Sequence, residues 1–420
     1  MISLTTIGIF LTLPVKLLWV AIKYPFVGGV NNKFKSDLAS SLKLTIFRSA
    51  LGFPIRDKGT LSVISNDTVI NSVIRKQYPN LTSSLNNYGK RYDENSIWIV
   101  EAEGRAVTDP VIIFIHGGCF VFEACQEQIE SLLSSYYLLE PRNREKVSIL
   151  FIDYKLASKG CHVPQQLDQV VETYGRLVSE GNNNFITMGD SAGGNLAITF
   201  LQRLKTDESL CGFPVPRSTI MISPWTKLVP DSGDYEAPHS LHVNSMHDMM
   251  QARHYRQMFD TDEIDVMFGD NEYRSLTVSP GNCTYKTSDW EDIPTFHEPG
   301  YSTFVILGED ETMRDDILTW AKYALGSSLA PPLRGSNGVW DPEVHEYFRD
   351  EKDSAFVEVV MEPQGIHDAF FIFENGILGE LEKGKKVSVE ELDKVKYFGT
   401  IRVVEFLNRV LLESESKKTV

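Results

Sequence analysis

Residues 184–194 read Asn-Phe-Ile-Thr-Met-Gly-Asp-Ser-Ala-Gly-Gly, and helical patterning continues from Gly193 to Lys205. A short buried strand, 184–188, therefore runs directly into a helix through a turn that has glycine on both sides of a serine. So tight a strand-to-helix turn requires small flanking residues, which Gly189 and Gly193 supply. It leaves Ser191 at the tip, beside Asp190 and at a helix N-terminus whose dipole favours developing negative charge. A bare G-x-S-x-G arises by chance, but in strand–turn–helix context it marks Ser191 as a nucleophile.

The rest of the chain supplies the sheet that such a turn needs. Residues 96–102 alternate and read as a strand, and continuous β-branched and aromatic runs follow at 110–115, 147–154, 219–222, 303–307 and 356–361. Helical patterns lie between them, for example at 164–179. Buried strands alternating with helices predict an α/β class and a doubly wound, mostly parallel sheet, with ligands bound beyond the carboxyl ends of the strands. Two stretches break the alternation: 25–95, and 230–299, which is rich in Met, His, Asp and Tyr. Both are expected to form a helical cap. The organisation read from the sequence is a hydrophobic membrane anchor at 1–24, a helical cap region at 25–95, a catalytic domain at 96–412 with its cap insertion at 230–299, and a tail at 413–420.

A serine hydroxyl is a weak nucleophile and needs a base. His367, in Gln364-Gly365-Ile366-His367-Asp368 just after the last strand, is the best placed histidine. The base needs a carboxylate to fix its tautomer, and the chain order Ser, acid, His puts that acid after the strand at 303–307. There the sequence offers Glu309, Asp310, Glu311, Asp315 and Asp316, and spacing alone does not choose. Backbone N–H donors for an oxyanion are expected from Ala192, which follows the nucleophile, and from Gly117 and Gly118 of His116-Gly117-Gly118.

Composition narrows the alternatives. The net charge is −16 and no basic stripe is present, so a nucleic-acid partner is not expected. The acidic run 260–270 reads as a solvated surface. The five cysteines form no CxxC pair and stand at no zinc spacing, so no zinc site is expected.

Residues 2–22 are nearly all apolar and as a helix span roughly 30 Å, the thickness of a bilayer core. Pro14 and Lys16 interrupt the run. An uncleaved membrane anchor is the leading reading; a buried or interfacial helix and a cleaved signal peptide are the alternatives. Lys23, Lys33 and Lys35 follow the span and point to a cytoplasmic catalytic domain by the positive-inside rule. Three N-x-S/T sequons, at Asn66, Asn80 and Asn282, point the other way, in about the number that chance produces.

The series His116-Gly117-Gly118, Tyr154-Lys155-Leu156-Ala157, Gly189-Asp190-Ser191-Ala192-Gly193-Gly194-Asn195, Ile222-Ser223-Pro224-Trp225 and Gly365-Ile366-His367-Asp368 resembles the hormone-sensitive-lipase branch of the α/β hydrolases, which includes the arylacetamide deacetylases. With its apolar N-terminus, the layout is most similar to the fungal steryl acetyl hydrolases. The resemblance places an aspartate two residues before Leu-Arg-Asp. Against Met313-Arg314-Asp315 that place holds Glu311, which makes Glu311 the expected acid and Asp310 the alternative. Cys119 stands where the resemblance has a third glycine; it is expected to narrow the pocket mouth without acting chemically. By resemblance the chain has the α/β-hydrolase fold with an eight-stranded sheet, and is a serine esterase that needs no metal or organic cofactor and removes acetate or another small acyl group from a sterol or similar bulky lipophilic alcohol. It would sit in the endoplasmic reticulum membrane, single-pass, with its catalytic domain in the lumen, against the lysine count. A broad short-chain carboxylesterase or amide deacetylase, and a non-catalytic ligand-binding protein of the same fold, are the competing readings.

Overall fold

The computed structural model describes residues 2–416 apart from 63, 333 and 334. The apolar runs form strands buried on both faces. In chain order they are β1 (Arg91–Asp93), β2 (Ser96–Val100), β3 (Val111–Ile115), β4 (Ser148–Ile152), β5 (Phe185–Asp190), β6 (Ser218–Ile222), β7 (Ser302–Gly308), β8 (Glu346–Arg349) and β9 (Phe356–Glu362). They make one sheet of order β1-β2-β4-β3-β5-β6-β7-β9-β8. Its middle, β4 to β9, is parallel, and β1, β2 and β8 add antiparallel edges.

The sequence reading of eight strands is one short of the nine described. The strands without an apolar signature are β1 and β8: both are short, at the sheet edges and only half buried, so neither carries the two-sided pattern of the central runs.

Pleating divides the core between two faces. Val111, Ile113 and Ile115 of β3 join one hydrophobic cluster, while Ile112 and Phe114 join the other. Helices cover both. The first nine in use here are α1 (Leu4–Val27), α2 (Leu38–Leu51), α3 (Ile55–Leu61), α4 (Gln126–Leu138), α5 (Gln165–Ser179), α6 (Ala192–Thr206), α7 (Ala252–Phe259), α8 (Glu263–Phe268) and α9 (Arg314–Leu325); α10 (Ala369–Phe373) and α11 (Phe398–Ser416) complete the layers. Helix α5 shows why these segments are helical: it buries Leu167, Val170, Tyr174 and Leu177, one stripe at a spacing of three to four residues. Of the tail expected at 413–420, residues up to Ser416 continue α11, and 417–420 lie outside the described residues.

After β3 the chain winds first to β4 on one side and then to β5 on the other. The order reverses there, and a crevice opens beyond the ends of β3 and β5. Segments 25–95 and 230–299 both reach this crevice. Arg48 of α2 donates to the carbonyls of Met246, His247 and Asp248 at 2.6–2.9 Å. The N–H of Ile55 in α3 donates to the carboxylate of Glu263 in α8 at 2.9 Å. Thus the acidic run 260–270 is solvated at Asp260, Asp262, Asp265 and Asp270, while Glu263 is buried by that bond.

Helix α1 is mostly apolar, interrupted by Lys16 and Lys23, and continues through Pro14 and Pro25. Beyond it, Lys33 is buried against Glu362 at the end of β9 and lies 3.7 Å from Glu374. Burial pushes the Glu374 carboxyl up to about 7, against the pull of Lys33. A buried charge left without its partner is costly, so Lys33→Ala is expected to destabilise the protein by about 3 kcal/mol at neutral pH. A carboxyl whose pKa is raised by folding costs stability as pH climbs through that value. The loss is therefore expected to be larger at pH 8 than at pH 5.5, in thermal unfolding of the detergent-solubilised protein; equal losses at both would place the effect elsewhere.

Candidate active site

Strand β5 ends at Asp190 and α6 begins at Ala192, so the whole turn is Ser191, held at φ +50°. The turn is pinned on both sides. The Ser191 N–H donates to the Ile222 carbonyl at 2.9 Å, and the Ser191 carbonyl accepts from Trp225 and Asn195 at 2.9 and 3.0 Å. No side chain fits at its flank: a Cβ on Gly193 would lie 1.9 Å from the Ile115 carbonyl oxygen.

His367 and Glu311 meet at this tip. Nε2 of His367 is 2.9 Å from Ser191 Oγ, and its Nδ1 is 2.7 Å from Glu311 Oε1. All three side chains are buried. Glu311 is fixed through its other oxygen, which accepts from the Gly308 N–H and the Ser223 hydroxyl, both at 2.9 Å. The other carboxylates after β7 face elsewhere. Asp310 accepts from the Asn31 amide at 2.8 Å, and Asp315 accepts from the Ser240 N–H at 2.9 Å and pairs with Arg314.

The expected oxyanion donors need one correction. The Gly117 N–H donates to Asp190 Oδ1 at 2.9 Å and is committed. A side chain at Gly117 would displace that carboxylate, since a Cβ there would lie 2.3 Å from Asp190 Oδ2. The N–H groups of Gly118, Cys119 and Ala192 donate to no acceptor among the described residues. His116 is a structural residue: it stacks between Phe151 and Tyr154 at 5.3 and 4.2 Å, and burial lowers its pKa to about 4, so it is neutral. Burial pushes the Cys119 thiol up to about 11, so it is not a thiolate at neutral pH.

Two residues that sequence reasoning did not select complete the setting. Asp248 accepts from the His367 N–H at 2.9 Å and from the N–H and hydroxyl of Thr312 at 2.7 and 2.8 Å. It ties the insertion to the loops that carry Glu311 and His367, and no local pattern marks it. Asp368 is a stronger case, because it directly follows the selected histidine. Its Oδ2 lies 3.2 Å from His367 Nε2, the nitrogen that faces Ser191, and its buried Oδ1 has no partner among the described residues.

Burial disfavours the imidazolium of His367, but the negative charges of Asp368, Glu311 and Asp248 outweigh it and raise its pKa. Burial pushes Asp368 well above the usual carboxylate range against the pull of His367.

Ser191, His367 and Asp368 open onto a cavity of about 160 Å³. Its other walls include Phe47, Ala50 and Leu51 of α2, Met249 and Met250 of the insertion and Ile372 of α10, with Glu123, Gln128 and Asp190 among its polar members. Pockets for drug-sized ligands begin at roughly 300 Å³, so this one is small.

Comparison with known proteins agrees with the geometry. Residues 54–328 match the family described as steryl acetyl hydrolase. Over 397 residues the chain is 27% identical to mug81 of Schizosaccharomyces pombe, covering 90% of this chain and 93% of that one. It is 32% identical over 124 residues to steryl acetyl hydrolase 1 of Saccharomyces cerevisiae, 28% of this chain and 27% of that one. A crystal structure of an esterase from the bacterial hormone-sensitive lipase family superposes with a TM-score of 0.48 at 18% identity, over 89% of this chain and 99% of that one.

The contact between Asp368 and His367 has a measurable consequence. Asp368→Asn removes the first of the charges that raise His367, so the histidine pKa is expected to fall by about one unit or more. Titration of ¹³C-labelled histidine by NMR reads this directly; an unmoved His367 resonance would show that Asp368 does not act on it.

Proposed function

The chain belongs to the steryl acetyl hydrolase family, a family of carboxylic ester hydrolases, and from that premise we propose that it removes acetate from acetylated sterols or similar bulky lipophilic alcohols by acyl transfer through Ser191. The observation that carries this reading is the unbroken line Ser191 Oγ, His367 Nε2 at 2.9 Å, His367 Nδ1 and Glu311 Oε1 at 2.7 Å.

In the first step Ser191 Oγ attacks the ester carbonyl carbon while its proton passes to His367 Nε2. Glu311 holds the imidazole tautomer and stabilises the imidazolium. The carbonyl oxygen becomes an oxyanion, held by the free N–H groups of Gly118, Cys119 and Ala192. The intermediate collapses: the bond to the alcohol oxygen breaks, and His367 returns its proton to that oxygen. Water, deprotonated by His367, then attacks the acyl-serine; the bond to Ser191 Oγ breaks, His367 returns the proton to Oγ, and the acid leaves.

The substrate reading is supported by the small apolar cavity at Ser191, which suits an acetyl group, and by the family. The same cavity suits a short-chain carboxylesterase, so the deciding comparison is cholesteryl acetate in vesicles beside p-nitrophenyl acetate. Turnover of both, absent in Ser191→Ala, is the expected result; turnover of the small ester alone would sink the sterol assignment and keep the esterase. Glu311→Gln is expected to lower kcat by roughly 10³–10⁴-fold with little change in KM, as loss of the orienting carboxylate does elsewhere. A drop below tenfold would remove Glu311 from the mechanism.

We further propose that α1 holds the enzyme at the endoplasmic reticulum membrane with its catalytic domain on the lumenal side. The sequons give this a specific form. Asn66 is buried, its amide donating to Asp153 and its carbonyl accepting from the Ala124 N–H, both at 2.8 Å. Asn282 is bonded to both backbone groups of Val229. Asn80 alone of the three is exposed. One glycan is therefore expected, removed by glycosidase as a single mobility step and absent in Asn80→Gln; a chain unglycosylated in its native host would place the domain on the cytoplasmic side.

A further inference from the structure

The cavity at Ser191 has four acidic or amide side chains in its wall, and three of them are already engaged. Gln128 donates to Asp190 Oδ2 at 2.7 Å and accepts from the Cys125 N–H at 2.8 Å. Asp190 also accepts from the Gly117 N–H, and Glu123 pairs with Lys159. The fourth is Asp368. Its Oδ1 is buried and meets no donor among the described residues. Its Oδ2 lies 3.2 Å from His367 Nε2, the nitrogen that is bonded to Ser191 Oγ.

The backbone holds this carboxyl in place. Asp368 stands at φ +52°, in the left-handed region that few residues other than glycine, asparagine and aspartate enter. Its N–H donates to Ser223 Oγ at 3.1 Å, and its carbonyl accepts from the Ile372 N–H at 2.9 Å. The same Ser223 hydroxyl donates to Glu311, so the acid of the triad and Asp368 hang on one serine. A buried acceptor left without a donor is costly, and such groups concentrate where a protein does chemistry. The donor that completes Asp368 must therefore come from what reacts in the cavity. An acetyl group on Ser191 has no hydrogen to donate, and neither has the ester oxygen of a lipophilic alcohol. Water has two.

We propose that Asp368 holds the hydrolytic water during deacylation and so selects water over alcohols as the acyl acceptor. The cavity, at about 160 Å³, has room for a water, whose share of liquid volume is about 30 Å³. The water donates one hydrogen to His367 Nε2 and the other to the Asp368 carboxyl, which keeps an acceptor oxygen in either charge state. Its oxygen attacks the acetyl carbon as the first hydrogen passes to Nε2. The second stays on the oxygen and leaves with the acid. The bond to Ser191 Oγ breaks, and His367 returns its proton there. Asp368 neither gains nor loses a proton. Resting on the acyl-enzyme of the proposed mechanism, this role adds a preference that the triad alone lacks. An alcohol has one hydroxyl hydrogen, which His367 takes, so an attacking alcohol leaves Asp368 without a donor. Transfer of acetate back to an alcohol is thereby disfavoured.

The test is Asp368→Gly in the full chain, since glycine takes the left-handed backbone without strain and keeps the N–H that reaches Ser223. With p-nitrophenyl acetate, stopped-flow release of p-nitrophenol reads acylation and the steady state reads deacylation. Deacylation is expected to slow about tenfold to a hundredfold, the effect of losing one hydrogen bond to a charged group, while acylation changes less than about threefold. A burst of p-nitrophenol then appears, and acetyl-Ser191 accumulates in the intact mass. Added methanol is expected to draw off a larger share of the acetyl group, as methyl acetate, than it does from the unmodified enzyme. A role through His367 alone would weaken both steps alike, so equal losses in the two steps, or an unchanged methanol share, would overturn the proposal. The unmodified enzyme gives a second test that needs no variant: per mole, water is expected to outcompete methanol for acetyl-Ser191, and a preference for methanol would overturn the proposal too. Turnover that survives Ser191→Ala is a different failure, because it would remove the acyl-enzyme itself.

Discussion

The catalytic end of the molecule depends on how closely α6 approaches β3. A Cβ at Gly193 would meet the Ile115 carbonyl oxygen at 1.9 Å, and one at Gly194 would meet Pro224 at 2.8 Å. Only a backbone bare on those sides lets the helix start directly above the sheet. The left-handed conformation this forces on Ser191 costs about 1–3 kcal/mol. It persists because three backbone hydrogen bonds, to Ile222, Trp225 and Asn195, leave the serine no other place. The Ser191 side chain is thus held in one place by the backbone, and the two loops that meet it spring from the same sheet.

Around that point the fold assembles charges that it would exclude elsewhere. Glu311, Asp248, Asp368 and Asp190 are all buried near one imidazole. Three of them are well served. Glu311 accepts from Gly308 and Ser223 besides His367, Asp248 from His367, Thr312 and Met249, and Asp190 from Gly117 and Gln128. Asp368 is the exception, with one oxygen against His367 and the other unpartnered among the described residues. Unsatisfied buried carboxyls are rare and concentrate where a protein does chemistry. Asp190 also engages the Gly117 N–H, while the N–H groups of Gly118 and Cys119, further along the loop, meet no acceptor among the described residues.

What the sequence made legible was local. The strand, the serine and the following helix occupy consecutive residues, so their pattern survives without tertiary context. The central strands were readable because parallel strands are buried on both faces; β1 and β8 were not, being short half-exposed edges. Spacing left several acids open after β7. The structure turns Asp310 toward Asn31 and Asp315 toward Ser240, and brings Glu311 to His367. Asp248 could not be found from sequence, since it arrives from an irregular insertion and its partners are 64 and 119 residues away. The same distance problem hid the bond between Gly117 and Asp190, 73 residues apart.

The short segment after α1 carries a practical consequence for making a soluble form of this enzyme. Asn31 bonds at once to Asp310, next to Glu311, and to Gln364, three residues before His367. Lys33 fills a carboxylate pair at the end of β9 and α10. These residues look like a linker, but they are a brace across the two loops that hold acid and base. The place to cut is therefore before Asn31: a truncation that begins at residue 38, at the first turn of α2, would discard the apolar helix and the brace together.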